Sequence, residues 1–165
     1  MVNNISDIDL LILDTLQHDS SVSHEEMSEI VGRSATSCLR RTRKLTEDGI
    51  ILQRVALLDE EKLGFDITGI FSVELAQDVI DLDIKLEAIC SRNPQIQQCF
   101  IVSSGADFMF IAKFRDAAEY KDFIFRLIGA FEGIEVREYE SRMVVKSVHD
   151  HRFLPIRPSQ KNISS

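Results

Sequence analysis

All ten phenylalanines and both tyrosines of this chain lie at or after Phe65. A change of composition that sharp marks a boundary near Leu63-Gly64. It splits the chain into an aromatic-free front and an aromatic-rich rear. A length of 165 residues fits one domain or two small ones, and 44% hydrophobic residues are enough for a core.

The rear alternates between strand and helix periods. Phe65, Ile67, Gly69, Phe71, Val73 and Leu75 interleave with Asp66, Thr68, Ser72 and Glu74, a period of two. Asp81 to Arg92 places Leu82, Leu86 and Ile89 on one helical side, and Pro94 stops it. Ile96 to Ser103 and Phe108 to Phe114 read as strands joined by the turn Ser104-Gly105-Ala106-Asp107. A helix follows from Ala117 to Ile128, then a turn at Gly133 and a last strand from Ile134 to Val148. The order β-α-β-β-α-β predicts a ferredoxin-like domain over 65–148. That topology puts both helices on one sheet face. Phe100, Met109 and Ile111 belong to strands apolar at both parities, so the other face is also expected to be apolar and to pack against a second copy.

The front reads as three short helices over 1–50. Ile8, Leu11, Ile12 and Leu16 share a helical face, opened by a capping box of Ser6 with Asp9. Ser23 with Glu26 opens a second helix, which Gly32 ends. Ser34 caps a third that runs through Asp48, with Gly49 just past it. Two helices joined by about three residues including a glycine match the helix-turn-helix pattern. Residues 51–64 form a connector with strand character, Ile50-Ile51-Leu52 and Val55-Ala56-Leu57-Leu58 suggesting a short strand pair or wing. The end, 149–165, reads as a loosely held tail.

Net charge is −8, which by itself argues against a nucleic-acid partner. The charges are segregated, however. Residues 1–32 carry seven acids and no Lys or Arg, while 33–54 carry six bases and two acids. The third helix begins with Ala35, Thr36 and Ser37, small enough for close approach to base edges. Arg40, Arg41 and Lys44 follow at one-turn spacings that suit phosphates or guanine edges. Arg33, Ser34 and Arg54 complete the candidate double-stranded DNA contacts. A solvated face of a plain three-helix bundle would look similar.

No apolar run is long enough for a membrane helix, and MVNNISDIDL carries no basic start for a secretory signal. Three cysteines, Cys38, Cys90 and Cys99, sit in apolar patterns and point to a reducing cytoplasm. His149 and His151 lack ligand-spaced partners, so no metal, cofactor or catalytic site is expected.

Taken in order, these pieces resemble the Lrp/AsnC, or feast/famine, family of transcriptional regulators. The similarity runs from about Ile5 to Lys146. It is carried by Ile5-Ser6-Asp7-Ile8-Asp9, by Val31-Gly32-Arg33-Ser34 with Cys38-Leu39-Arg40-Arg41, by Gly49-Ile50-Ile51, by Leu58-Asp59-Glu60-Glu61-Lys62-Leu63-Gly64 and by Glu132-Gly133-Ile134. The resemblance implies a winged helix-turn-helix that binds DNA, and a rear domain that dimerises, builds tetramers or octamers and senses amino acids. It also implies an effector site at Ser104, Gly105, Ala106 and Asp107, with Asp107 holding an ammonium and backbone N–H groups taking a carboxylate. Ser104 stands where the family has Gly, Arg33 where it has Leu, Thr42 where it has Val and Thr46 where it has Glu. A turn aspartate bonded to nearby backbone is the alternative for Asp107. Two other functions share the fold: a siroheme-type tetrapyrrole decarboxylase, which wants His or Arg in the rear cavity, and an amino-acid-binding module that does not touch DNA.

Overall fold

The computed structural model describes residues 5–131, 134–148 and 153–156. Its elements are α1 (Asp7–His18), α2 (His24–Val31), α3 (Ala35–Glu47), β1 (Ile67–Leu75), α4 (Leu82–Arg92), β2 (Ile96–Ile101), β3 (Phe108–Phe114), α5 (Ala117–Ala130) and β4 (Val136–Met143). They fall into two compact units: α1 to α3, and everything from Leu58 through β4. Gly133, His149, His151 and most of the tail lie outside the described residues. No helix among the described residues is long and apolar enough to cross a membrane.

In the first unit each helix starts on a polar cap. Ser6 and Asp9 exchange hydrogen bonds across the start of α1, and Ser23 and Glu26 do the same for α2. Gly32 ends α2 at φ 65°, a left-handed conformation that glycine adopts without strain. The three helices close over Ile12, Met27, Cys38 and Leu45, with Ile8, Leu16, Val31 and Ile50 packed around them. This core holds no aromatic ring, as the front composition requires.

The second unit is a four-stranded antiparallel sheet in the order β2-β3-β1-β4, the ferredoxin-like arrangement. Directly opposed residues share a face. One face therefore carries Phe71 and Val73 with Phe108 and Phe110, and both helices bury against it. Phe71 stacks on Phe110 with centroids 4.6 Å apart and meets Phe123 edge-on at 5.6 Å. Gly69 lies beneath these rings. A Cβ there would come within 2.6 Å of Phe71, so the strand needs glycine at this point for close approach. Burial pushes the Cys99 thiol up to about 12, and neighbouring Cys90 adds to it. The thiol is protonated at neutral pH and packs as a small apolar group.

The opposite face carries Ile70, Met109, Ile111 and Phe100, bordered by Glu138, Glu140, Arg142 and Lys113. No helix covers it. Ile70, Met109 and Ile111 are half-buried, and Phe100 is 49% exposed.

Several expectations change. The connector forms no strand pair or wing; 51–58 has no regular structure. A strand needs a hydrogen-bonding partner, and Leu52, Val55, Leu57 and Leu58 are instead exposed. The second unit starts earlier than Gly64, because Glu60 pairs with Lys113 at 2.5 Å and the turn 59–63 bonds into Gly64 and Phe65. β4 ends at Met143 rather than Val148, since its pairing with β1 stops at Gly69. The described part of the tail is not loose. Gln17 exchanges two amide hydrogen bonds with Leu154 at 2.9 Å, and Phe153 packs on the His18 ring.

Candidate nucleic-acid interface and effector turn

Helix α3 is held by Cys38, Thr42 and Leu45, which turn inward. Positions four, seven and eight beyond Thr36 therefore share one outward face. Thr36, Arg40, Arg43 and Lys44 are all exposed there. None of the three cations has a hydrogen-bond or ion-pair partner among the described residues.

The helix start is also unlike its neighbours. Helix α1 has Asp7 and Asp9 in its first turn and α2 has Glu25 and Glu26, whereas α3 has no acid. The positive end of its dipole is left for an outside anion. Ser34 is spent as the cap, its hydroxyl accepting from the Ser37 N–H at 3.3 Å. Ser37 is half-buried, and Arg33 is exposed with one N–H on the Gly32 carbonyl at 3.0 Å. Arg54 is exposed and donates to the Ser20 carbonyl at 3.4 Å.

Arg41 departs from the expectation. It turns inward, donating to Asp9 at 2.8 Å and to the Ser6 hydroxyl at 3.3 Å. Its Nε is buried without a partner among the described residues. The pair floors a cavity of about 420 Å³ between α1 and α3, which Arg40 and Lys44 rim. The cause is angular. Arg41 follows Cys38 by three residues and precedes Leu45 by four, so it sits on the shoulder of the buried face beside α1. Arg43 is the residue that sequence reasoning missed. The spacing Thr36, Arg40, Arg43 was the available signal.

The Asp9–Arg41 pair ties the recognition helix to α1. Burial alone pushes the Asp9 carboxyl up. Hydrogen bonds from Ser6 and Arg41, with the Arg41 charge beside them, outweigh it and hold the group below its ordinary 3.8. A carboxyl depressed on folding stabilises the fold above its unfolded pKa, and that stability is lost as pH falls through the folded pKa. Asp9→Asn is expected to lower the unfolding free energy by about 1 kcal/mol at neutral pH. The difference closes as both proteins are acidified well below about pH 4. Urea titrations at the two pH values check this.

In the second unit, Asp107 is half-buried and its Oδ2 accepts from the Leu75 N–H at 2.6 Å. Its own N–H donates to the Val73 carbonyl at 2.9 Å. One carboxylate oxygen thus braces the end of β1 against the β2–β3 turn. Gly105 takes φ 77° at the tip. The backbone N–H groups of Ser104, Gly105 and Ala106 donate to nothing among the described residues. Three successive free donors beside a carboxylate suit a small zwitterion.

Comparison with known proteins agrees with both halves. Residues 5–51 match the model of the winged helix-turn-helix DNA-binding family, and residues 68–154 that of the Lrp/AsnC ligand binding domain. The glutamate uptake regulatory protein of Zymomonas mobilis is 33% identical over 120 residues, 73% of each chain. The leucine-responsive regulatory protein of Rhizobium meliloti is 32% identical over 146 residues, 87% of this chain and 90% of that one. An AsnC family transcriptional regulator from Agrobacterium tumefaciens superposes with a TM-score of 0.83 at 30% identity, covering 92% of this chain and 97% of its own. A transcriptional regulator of Neisseria meningitidis, solved with L-Met, reaches 0.82 at 25% identity, covering 94% and 97%.

Proposed function

Since the chain belongs to the Lrp/AsnC family and is a DNA-binding transcriptional regulator, we propose that it reads its operator with Thr36, Arg40, Arg43 and Lys44 of α3. The carrying observation is that these three cations are exposed and unpaired on one face, ahead of which no acid opposes a phosphate. Arg33 and Arg54 contribute phosphate contacts from the turn and the connector. Ser34, Ser37 and Arg41 act through the helix, by capping it and setting its position.

The ligand of the second unit is a small amino acid-like effector at 104–107. Its carboxylate meets the free N–H groups of the turn, and its ammonium meets the Asp107 oxygen that Leu75 leaves open. The uncovered sheet face with Ile70, Phe100, Met109 and Ile111 joins two copies about a twofold axis, and the exposed run Leu52 to Leu58 extends the contact. Dimers assemble further to tetramers or octamers. The protein works in the cytoplasm by binding and not by catalysis. The apolar cavity behind β4 holds about 210 Å³, below the roughly 300 Å³ usual for ligand pockets. Arg137, the one cation on it, is paired with Glu74 at 2.9 Å, which disfavours the decarboxylase alternative.

Fluorescence anisotropy on the DNA upstream of the chain's own gene tests this reading. Affinity is expected to fall with salt by a log–log slope of about 0.9 per neutralised phosphate, and one of the common amino acids is expected to shift the curve. Binding that ignores salt would overturn the DNA assignment, and a curve that no amino acid moves would overturn the effector assignment.

A further inference from the structure

A groove of about 570 Å³ runs between α4 and α5 on the outer side of the helical layer, away from the β2–β3 turn. Its rim carries Lys85 and Arg92, two helical turns apart on α4, and Arg126 on α5. All three are exposed, and none has a hydrogen-bond or ion-pair partner among the described residues. Its lining contains no carboxylate, and Ala88 and Gly129 keep it open. This is unusual for a chain of net charge −8. The α4 acids Asp83 and Glu87 fall on the opposite side of that helix. Asp122, one turn before Arg126, borders a separate depression with Asp116 and Glu119.

Helix C-termini attract cations, and the groove receives the ends of both α4 and α5. The two dipoles amount to about half a negative charge each, roughly one together. Three cations exceed that by about two charges. The surplus calls for an anion with more than one charge.

The geometry points to a phosphate-binding site in the α4/α5 groove, made by Lys85, Arg92 and Arg126, for a ligand carrying several phosphate groups. Those phosphates come either from a free polyphosphorylated small molecule or from a DNA backbone passing over this face. Arginine side chains suit both, because their paired N–H donors match phosphate oxygens. Neither source overlaps the proposed effector turn or the α3 face.

The test uses the full-length chain and two double variants of equal charge change. Arg92→Glu/Arg126→Glu alters the groove. Lys62→Glu/Lys121→Glu alters two exposed lysines outside it. Calorimetric titration with inorganic triphosphate at low salt is expected to show about tenfold or greater weakening in the groove variant and little change in the control. A duplex of non-operator sequence, followed by anisotropy over a salt series, reads the other source. If the phosphates belong to DNA, the groove variant lowers the log–log slope by about 1.8, at 0.9 per phosphate. Loss in either arm, absent from the control, supports the site and names its source. The neutral Arg92→Gln/Arg126→Gln pair repeats the loss at smaller size, which covers the event that charge reversal harms folding. Triphosphate affinity and slope unchanged in the groove variants, or lowered equally in the control, overturn the proposal. Failure of the α3 reading would show separately, as duplex binding untouched by changes at Arg40 and Arg43.

Discussion

Ile111→Asp is expected to convert the protein from a dimer to a single-chain species in sedimentation at micromolar concentration. Ile111 lies on the central strand β3, opposite Ile70, on the sheet face that no helix covers. A twofold axis through that face brings each substitution in twice, so two carboxylates enter one apolar contact. Desolvating an unpaired charge costs several kcal/mol. Full burial of four already half-covered side chains gains only about 1 kcal/mol each. The charge outweighs the contact. Two recognition helices held in one body also bind two half-sites as one event. Separating them is expected to weaken binding to a two-half-site duplex by about a hundredfold to ten-thousandfold, with no change at α3. Phe100→Ser, at the exposed edge of the same face, is expected to weaken the dimer without threatening the fold. A dimer that survives both substitutions would move the interface elsewhere.

The second large effect concerns α3. Arg40→Ala/Arg43→Ala removes two exposed, unpaired cations from one helical face. If both meet phosphates, the salt slope falls by about 1.8, and affinity falls alike for all sequences. If one reads a base edge, about 1–3 kcal/mol is lost at one operator position and discrimination there relaxes. Arg41→Ala should behave differently, because its guanidinium is already held by Asp9 and Ser6. The slope should stay near wild type while the thermal midpoint of the first unit falls by about 4–8 °C per kcal/mol lost. A slope change for Arg41 as large as for Arg40 would mean that the Asp9 pair opens on DNA.

How far the chain could be read in advance varied with distance along it. Both capping boxes, the Gly32 stop and the strand β3 are patterns of neighbours. They appear in the structure where the spacing placed them, β3 to the residue. The outward stripe on α3 was half legible: Thr36, Arg40 and Lys44 were read, and Arg43 was passed over. Arg41 was misdirected because basic residues were counted along the chain without asking which side of the helix each occupied. The connector was misread for another reason. β-prone residues are necessary for a strand, but a strand exists only where another backbone accepts its hydrogen bonds.

The amino-acid order alone therefore determined the helices, the strands, their order, and the division into an aliphatic front and an aromatic rear. Each of these follows from periodicity and composition, which are properties of adjacent residues. Tertiary structure decided which partner each polar group took. It turned Arg41 to Asp9, thirty-two positions away, fastened one Asp107 oxygen to the Leu75 N–H, docked Leu154 on Gln17 and left Lys85, Arg92 and Arg126 together around one groove. Those choices depend on what folding brings within about 3 Å, and no local pattern encodes a distance between residues so far apart in the chain.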